Sequence, residues 1–184
     1  YSPNYVSSPA EVNGLSSEVA SVALSGDHSC ALTTGGGVKC WGRNDLGQLG
    51  NGTMEHSAVP VDVNGLGANV TFIALGANSS CARTASGGLK CWGDNALGQL
   101  GNGTTTNSST PVDVVGLSSG VASVFVRSNH VCAVTTGGAL KCWGSNNYGQ
   151  LGDGTTISRS YPVDVIGLGS SVASVALGGT TTCA

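Results

Sequence analysis

The stretch HSCALTTGGGVKCWGRNDLGQLG, residues 28–50, decides how this chain is read. It returns at 79–101 and 130–152, carrying Cys-Trp-Gly from Cys40, Cys91 and Cys142, 51 residues apart each time. A second cysteine stands ten residues earlier in every copy, at Cys30, Cys81 and Cys132, and Cys183 continues that series. Cys183 is unpaired in this segment, its partner being expected near position 193 of a longer array. A period kept without one insertion marks a stacked or ring-shaped repeat protein, here about 3.6 units, rather than an enzyme built around one cleft. The units are read as one array over 1–184: a partial repeat 1–50, repeats 51–101 and 102–152, and a partial repeat 153–184.

Within the quoted stretch, His28 to Thr33 and Val38 to Gly42 read as two strands around the turn Thr34-Gly35-Gly36. Centring that turn on Gly35 pairs residues whose numbers sum to about 70, which sets Cys30 opposite Cys40. The same rule pairs Cys81 with Cys91 and Cys132 with Cys142. Directly opposed residues lie about 4.5–5.5 Å apart at Cα, within reach of a disulfide. Three hairpin disulfides are therefore expected, each contributing roughly 2.5–3 kcal/mol by loop closure.

Two further segments complete each unit. Pro-Val-Asp-Val at 60–63, 111–114 and 162–165 opens it, with Pro-Ala-Glu-Val at 9–12 as a degenerate first copy. After a Gly-Leu turn come the apolar runs Val19 to Leu24, Val70 to Leu75, Val121 to Val126 and Val172 to Leu177, which read as strands covered on both faces. Trp41, Trp92 and Trp143 recur at one position, as packing wedges between units rather than a ligand platform. The Gly-x-Asn-x-x-Gly-Gln-Leu-Gly that follows reads as a compact turn fixing one unit against the next.

These residues resemble the repeat of the regulator of chromosome condensation family. His28-Ser29-Cys30-Ala31-Leu32, the Gly-Gly-Val before Trp41-Gly42, Asn44 and Gly47-Gln48-Leu49-Gly50 match its pattern, and the likeness covers essentially the whole chain. The resemblance implies an all-β fold of β-propeller-type four-stranded antiparallel blades, part of a larger ring or an open repeat array. A seven-bladed ring would need about 357 residues at this period. The cysteines resemble those of secreted bacterial versions. Nucleotide exchange on a GTPase, one activity the family implies, depends on an inserted wedge, for which an insertion-free period leaves no room. Ultraviolet-B sensing needs tryptophans gathered on one dimerising face, which three equivalent positions do not supply. Inhibition of a partner enzyme by a secreted ring fits the expected compartment.

Composition narrows the class further. Charged residues make up 9% of the chain, the net charge is −3 and there are 30 glycines. Seven regularly spaced cysteines favour an oxidising compartment, hence a secreted or cell-surface location. Seven basic residues are too few for phosphate-backbone binding, so no nucleic acid partner is expected. No apolar run is long enough to span a membrane. A signal peptide ahead of Tyr1 is compatible with this reading.

Catalytic groups do not converge: His28 and His130 are equivalent positions in different units, and His56 lies in a loop. No cofactor and no metal are expected. The Asn/Asp pairs at 44–45, 94–95 and 146–147 are ordinary turn residues before they are calcium ligands. The repeated Asp62, Asp113 and Asp164 and Lys39, Lys90 and Lys141 suit solvated faces or pairs between blades. Candidate glycan sites are the sequons at Asn51, Asn69, Asn78, Asn102 and Asn107, only slightly more than chance supplies.

One segment differs from copy to copy on the repeated frame. Met54, Glu55 and His56 correspond to Thr105, Thr106 and Asn107, and to Thr156, Ile157 and Ser158 with Arg159 following. These are candidate binding loops, although drift at an unconstrained surface produces the same pattern. The reading is a non-enzymatic extracellular scaffold, structural or adhesive, polymerising head to tail into a surface structure or fibre through self-association or through further repeats of the same chain. The alternative is a secreted propeller that captures or inhibits another protein, or a glycan, through its rim loops.

Overall fold

The computed structural model describes residues 11–15 and 18–184. The described residues form strands and turns, with no helix among them. The first sheet comprises β1 (Val19–Leu24), β2 (His28–Thr33), β3 (Val38–Gly42) and β4 (Ser57–Asp62). The second comprises β5 (Val70–Leu75), β6 (Ser79–Thr84), β7 (Leu89–Gly93) and β8 (Ser108–Asp113), and the third β9 (Val121–Arg127), β10 (His130–Thr135), β11 (Leu140–Gly144) and β12 (Arg159–Asp164). Each is antiparallel with its strands in chain order. β13 (Ala176–Leu177) and β14 (Thr182–Cys183) form a two-stranded fourth unit.

The Pro-Val-Asp-Val segment closes a sheet instead of opening one. Pro60 lies in β4, whose partner is β3 of the preceding hairpin. This is the outer edge of the sheet, where a residue without an N–H leaves no ladder bond unmade. Of the Pro9 to Val12 segment, Pro9 and Ala10 lie outside the described residues, and Glu11 and Val12 belong to no strand.

In the cysteine hairpins Cys30 faces Cys40, Cys81 faces Cys91 and Cys132 faces Cys142. The Thr33 N–H donates to the Gly37 carbonyl at 2.8 Å, which makes that a hydrogen-bonded pair. Counting inward, the cysteines fall on a non-hydrogen-bonded pair, where Cα atoms approach most closely. All three pairs are disulfides with Cα atoms 4.1 Å apart. The turn needs glycine at its third residue: Gly36 has φ +78°, and a Cβ there would lie 2.8 Å from the Asn69 nitrogen of the next unit.

The core lies between sheets. Cys30, Leu32, Val38, Leu49, Val63 and Leu66 of the first unit pack with Val70, Ile73, Ala82 and Trp92 of the second. The same arrangement recurs between the second and third. β5 packs against β1 and β2, and β9 against β5 and β6, so the first strand of each sheet faces its neighbours.

Those first strands are not covered on both faces as their apolar character suggests. Val70 and Ile73 are buried, but Phe72 is 44% exposed beside a register shift that breaks simple alternation. In β1, Val22 and Leu24 are exposed. In the fourth unit β13 takes in Ala176–Leu177 of the run Val172 to Leu177 and pairs with β14.

Candidate functional site

The structure gathers its buried polar chemistry at the junctions between sheets. Trp92 and Trp143 are fully buried, and each indole N–H donates to a main-chain oxygen of the preceding unit: Gln48 at 2.9 Å and Gln99 at 3.0 Å. The rings pass over Gly50 and Gly101, where a Cβ would stand 2.7 and 2.6 Å from the indole nitrogen. Val38, Gln48, Leu49, Gly50, Val63 and Leu66 form the seat of Trp92. Their equivalents Leu140, Gln150, Leu151, Gly152, Val165 and Leu168 line a cavity of about 240 Å3 at the far side of the third sheet. Trp41, at the other end, is half-buried.

A second tie runs beside the tryptophan. His28 Nε2 lies 2.8 Å from Ser80 Oγ of the next sheet, and Ser80 Oγ donates to the Gln48 oxygen at 3.1 Å. On the other side of the ring, Nδ1 lies 2.7 Å from Ser25 Oγ, which also donates to the His28 carbonyl at 3.0 Å. Burial pushes the His28 imidazole down to about 4, against the weaker opposing pull of the Asp27 charge. His130 repeats the tie through Thr182, 3.3 Å away, whose hydroxyl donates to the Gln150 oxygen. The middle junction lacks it: Ser79 replaces the histidine, Val131 replaces the hydroxyl, and Ser79 Oγ is buried without a partner.

The turns after the tryptophans are held by one asparagine each. Asn44 is fully buried, donates to the Thr53 and Glu55 carbonyls at 3.0 Å each and accepts from the Leu49 N–H at 2.9 Å. Asn95 and Asn146 do the same. These amides are committed to holding the loop, and among the described residues no group of three or more His, Cys, Asp or Glu could hold a metal ion.

The candidate binding loops project from the rim that carries these turns. Met54 is 48% and Ile157 63% exposed, and Glu55, Thr105 and Thr106 are also exposed. The third residue of each loop has a structural task as well: His56 Nδ1, Asn107 Oδ1 and Ser158 Oγ each accept the main-chain N–H of the buried asparagine. Arg159 is tied down, its guanidinium 2.8 Å from Asp153. Burial alone would raise the Asp153 pKa, but hydrogen bonds from Thr155, Arg159 and Asn146 outweigh it and pull it down to about 2. The other units have Asn51 and Ser57, or Asn102 and Ser108, at these two places, so the opposite charges come as a pair.

The remaining repeated charges are cross-strand neighbours within one sheet and do not bridge blades. Lys39, Lys90 and Lys141 contact Asp62, Asp113 and Asp164 at 2.6 Å. Arg43 spans Asp27 and Asp45, and its hydrogen bond lowers the Asp45 pKa. Of the sequon asparagines, Asn51 and Asn102 fold back onto Thr53 and Thr104. Asn69 is exposed with φ +65°, and Asn78 is half-buried. His28, His56 and His130 hold separate structural positions, each engaged in its own contacts. The His–hydroxyl tie escapes a reading of one unit at a time. Its signal is paired change, in which Ser79 and Val131 depart together from the pattern of His28 and Ser80.

Four-stranded sheets joined face to face by a buried tryptophan are β-propeller blades. The chain belongs to the regulator of chromosome condensation (RCC1) repeat family, whose repeat matches residues 36–83, 86–134 and 138–184, and in a second description 19–48, 70–99 and 121–150. It is similar to the E3 ubiquitin-protein ligase HERC2 of Homo sapiens, 38% identical over 151 residues that cover 80% of this chain and 3% of that protein. It is also similar to the ultraviolet-B receptor UVR8 of Arabidopsis thaliana, 34% identical over 160 residues that cover 86% of this chain and 36% of the receptor. Among solved structures, human WBSCR16 superposes with a TM-score of 0.78 at 29% identity, covering 89% of this chain and 44% of that one. Yeast RCC1 (Prp20), solved with Kap60, shares the fold at 23% identity with a TM-score of 0.73, over 85% of this chain and 39% of that one. This chain thus spans less than half of each of these proteins.

Proposed function

We propose that this chain is a non-catalytic repeat scaffold that works in an oxidising, extracellular setting and associates through its blade faces. The observation that carries the reading is one blade interface repeated along the array. Val22 and Leu24 are exposed and Trp41 half-buried on the first sheet, and the cavity lined by Leu151, Gly152 and Val165 lies between the third sheet and Thr180 to Thr182 of the fourth unit. A tryptophan presented by a further blade fits that seat as Trp92 fits Gln48, whether the blade belongs to the same chain or to a second copy placed head to tail. Repeated in one direction, such contacts build a structural or adhesive array. The disulfides are compatible with that compartment.

Sedimentation velocity over a range of concentrations, with negative-stain imaging, tests this. Association into rings or filaments is expected, and Trp41→Ala or Leu24→Arg should each abolish it. Compact monomers at every concentration would overturn the reading.

A second reading, capture of a partner protein at the rim, is favoured by the exposure of Met54 and Ile157 on an otherwise repeated frame. Yeast RCC1, in the structures similar to this one, is described as bound to Kap60 and as binding Gsp1p and histones. Joint substitution of 54–58, 105–109 and 156–160 should abolish capture of such a partner while the fold persists.

A further inference from the structure

The three sheets serve as controls for one another, because a residue the frame requires recurs every 51 positions. Several residues that do not recur converge on the junction of the second and third sheets, on the rim of the cysteine-hairpin turns. Arg83 stands where the first and third sheets bury Leu32 and Val134. Thr71 stands in place of Ala20 and Ala122, and Ser86 in place of Gly35 and Gly137. Across the gap, Gly120 has φ +72°, matching the left-handed Glu18, Asn69 and Ser171 at the same position, but it has no side chain and so leaves space. These four residues, with Thr84 and Thr136, line one cavity of about 300 Å3.

The arginine is positioned and its charge is left unneutralised. Thr71 Oγ1 donates to the Arg83 carbonyl and accepts from Nε, both at 3.2 Å, and Nη1 donates to the Ala122 carbonyl of the next sheet. No carboxylate among the described residues lies within ion-pair distance of this guanidinium, and Nη2 has no protein partner among them. The Ser86 and Thr84 hydroxyls lie 2.9 Å apart at the mouth.

We propose that this cavity binds a small carboxylate bearing several hydroxyls, a uronic acid. The Arg83 guanidinium takes the carboxylate through its free N–H groups, and the hydroxyls of Ser86 and Thr136 take those of the sugar, Thr84 being held by the Gly88 main chain. No aromatic side chain lines the cavity, so recognition is polar and the carboxylate is indispensable. The volume is at the small end of ligand sites, which suits a single ring. Both walls belong to complete sheets, so the site is independent of the blade-face association proposed above.

The test is titration of sodium glucuronate into the isotopically labelled 184-residue chain, read at the amides of Gly87, Gly120 and Val121. Saturable shifts are expected, with glucose giving none and sodium phosphate binding more weakly. Arg83→Leu installs the residue of the first sheet at this position and should weaken binding at least tenfold. Ser86→Gly, likewise a repeat residue, should weaken it about threefold to tenfold. Absence of saturable shifts, unchanged affinity in Arg83→Leu, or phosphate binding as tight as glucuronate would overturn the proposal.

Discussion

The junction between the first and second sheets and the junction between the second and third share one tryptophan seat and its bond to a main-chain oxygen but differ in the polar side chains beside it. At the first, His28 and Ser80 close a buried chain onto the Gln48 oxygen, and Leu32 fills the opposite end. At the second, Ser79 meets Val131 with no bond, and Arg83 opens the end to solvent. The frame therefore tolerates loss of the polar tie provided both partners go together, since an orphaned histidine would cost more than an apolar contact. It does not dispense with the indole.

The comparison can be broken most forcefully at that indole. Trp92→Ala and Trp143→Ala should each cost about 3–5 kcal/mol in urea unfolding, and by similar amounts if the seats are equivalent. A difference much above 1 kcal/mol would show that the polar surroundings share the load. Next, replacing Cys81 and Cys91 together by alanine should cost about 2.5–3 kcal/mol in the chain-entropy model, measured in the same way.

The tie itself is sharpened by a double-mutant cycle. Ser80→Val alone strands a buried imidazole nitrogen and should cost about 1–3 kcal/mol, whereas adding His28→Ser, the residues of the second junction, should recover part of that. The same histidine gives a pH signature. Its folded pKa, about 4, lies below the unfolded value of 6.5, so the unfolded chain binds the proton more readily. Stability is fully present above about pH 6.5 and is lost as pH falls toward 4. His28→Ser should flatten that part of a thermal-melt pH profile. The smallest effect belongs to Lys90→Ala, which removes an exposed cross-strand pair and should change stability by less than about 1 kcal/mol.

Much of this was legible from residues 28–50. The interval of 51 dictates the unit, and the turn at Gly35 fixes the hairpin register through a simple count. Burial of Trp92 and Trp143 between sheets was legible too, because a large side chain recurring opposite the cysteine face has only the neighbouring unit to pack on. The phase of the sheet was not: Pro60 suits the first or the last strand equally, and only pairing with Cys40's strand decides. Nor was the exposure of Phe72, which depends on a register shift that hydrophobicity does not encode. The ties through His28, Arg159 and Arg83 were hidden for a common reason. Each is absent from the common repeat pattern, whether its partners are six residues apart, as Arg159 and Asp153 are, or 52, as His28 and Ser80 are, and only differences between copies at two positions at once reveal them.

Each sheet is complete within one run of chain, 19–62, 70–113 or 121–164, while the indole finds its partner in a main-chain oxygen instead of a particular side chain. The blades are thus interchangeable cassettes. Joined after Leu66 or Leu117, so that each link stays with the seat it builds, one can be moved or duplicated, provided that the histidine and the hydroxyl of each junction travel as a pair.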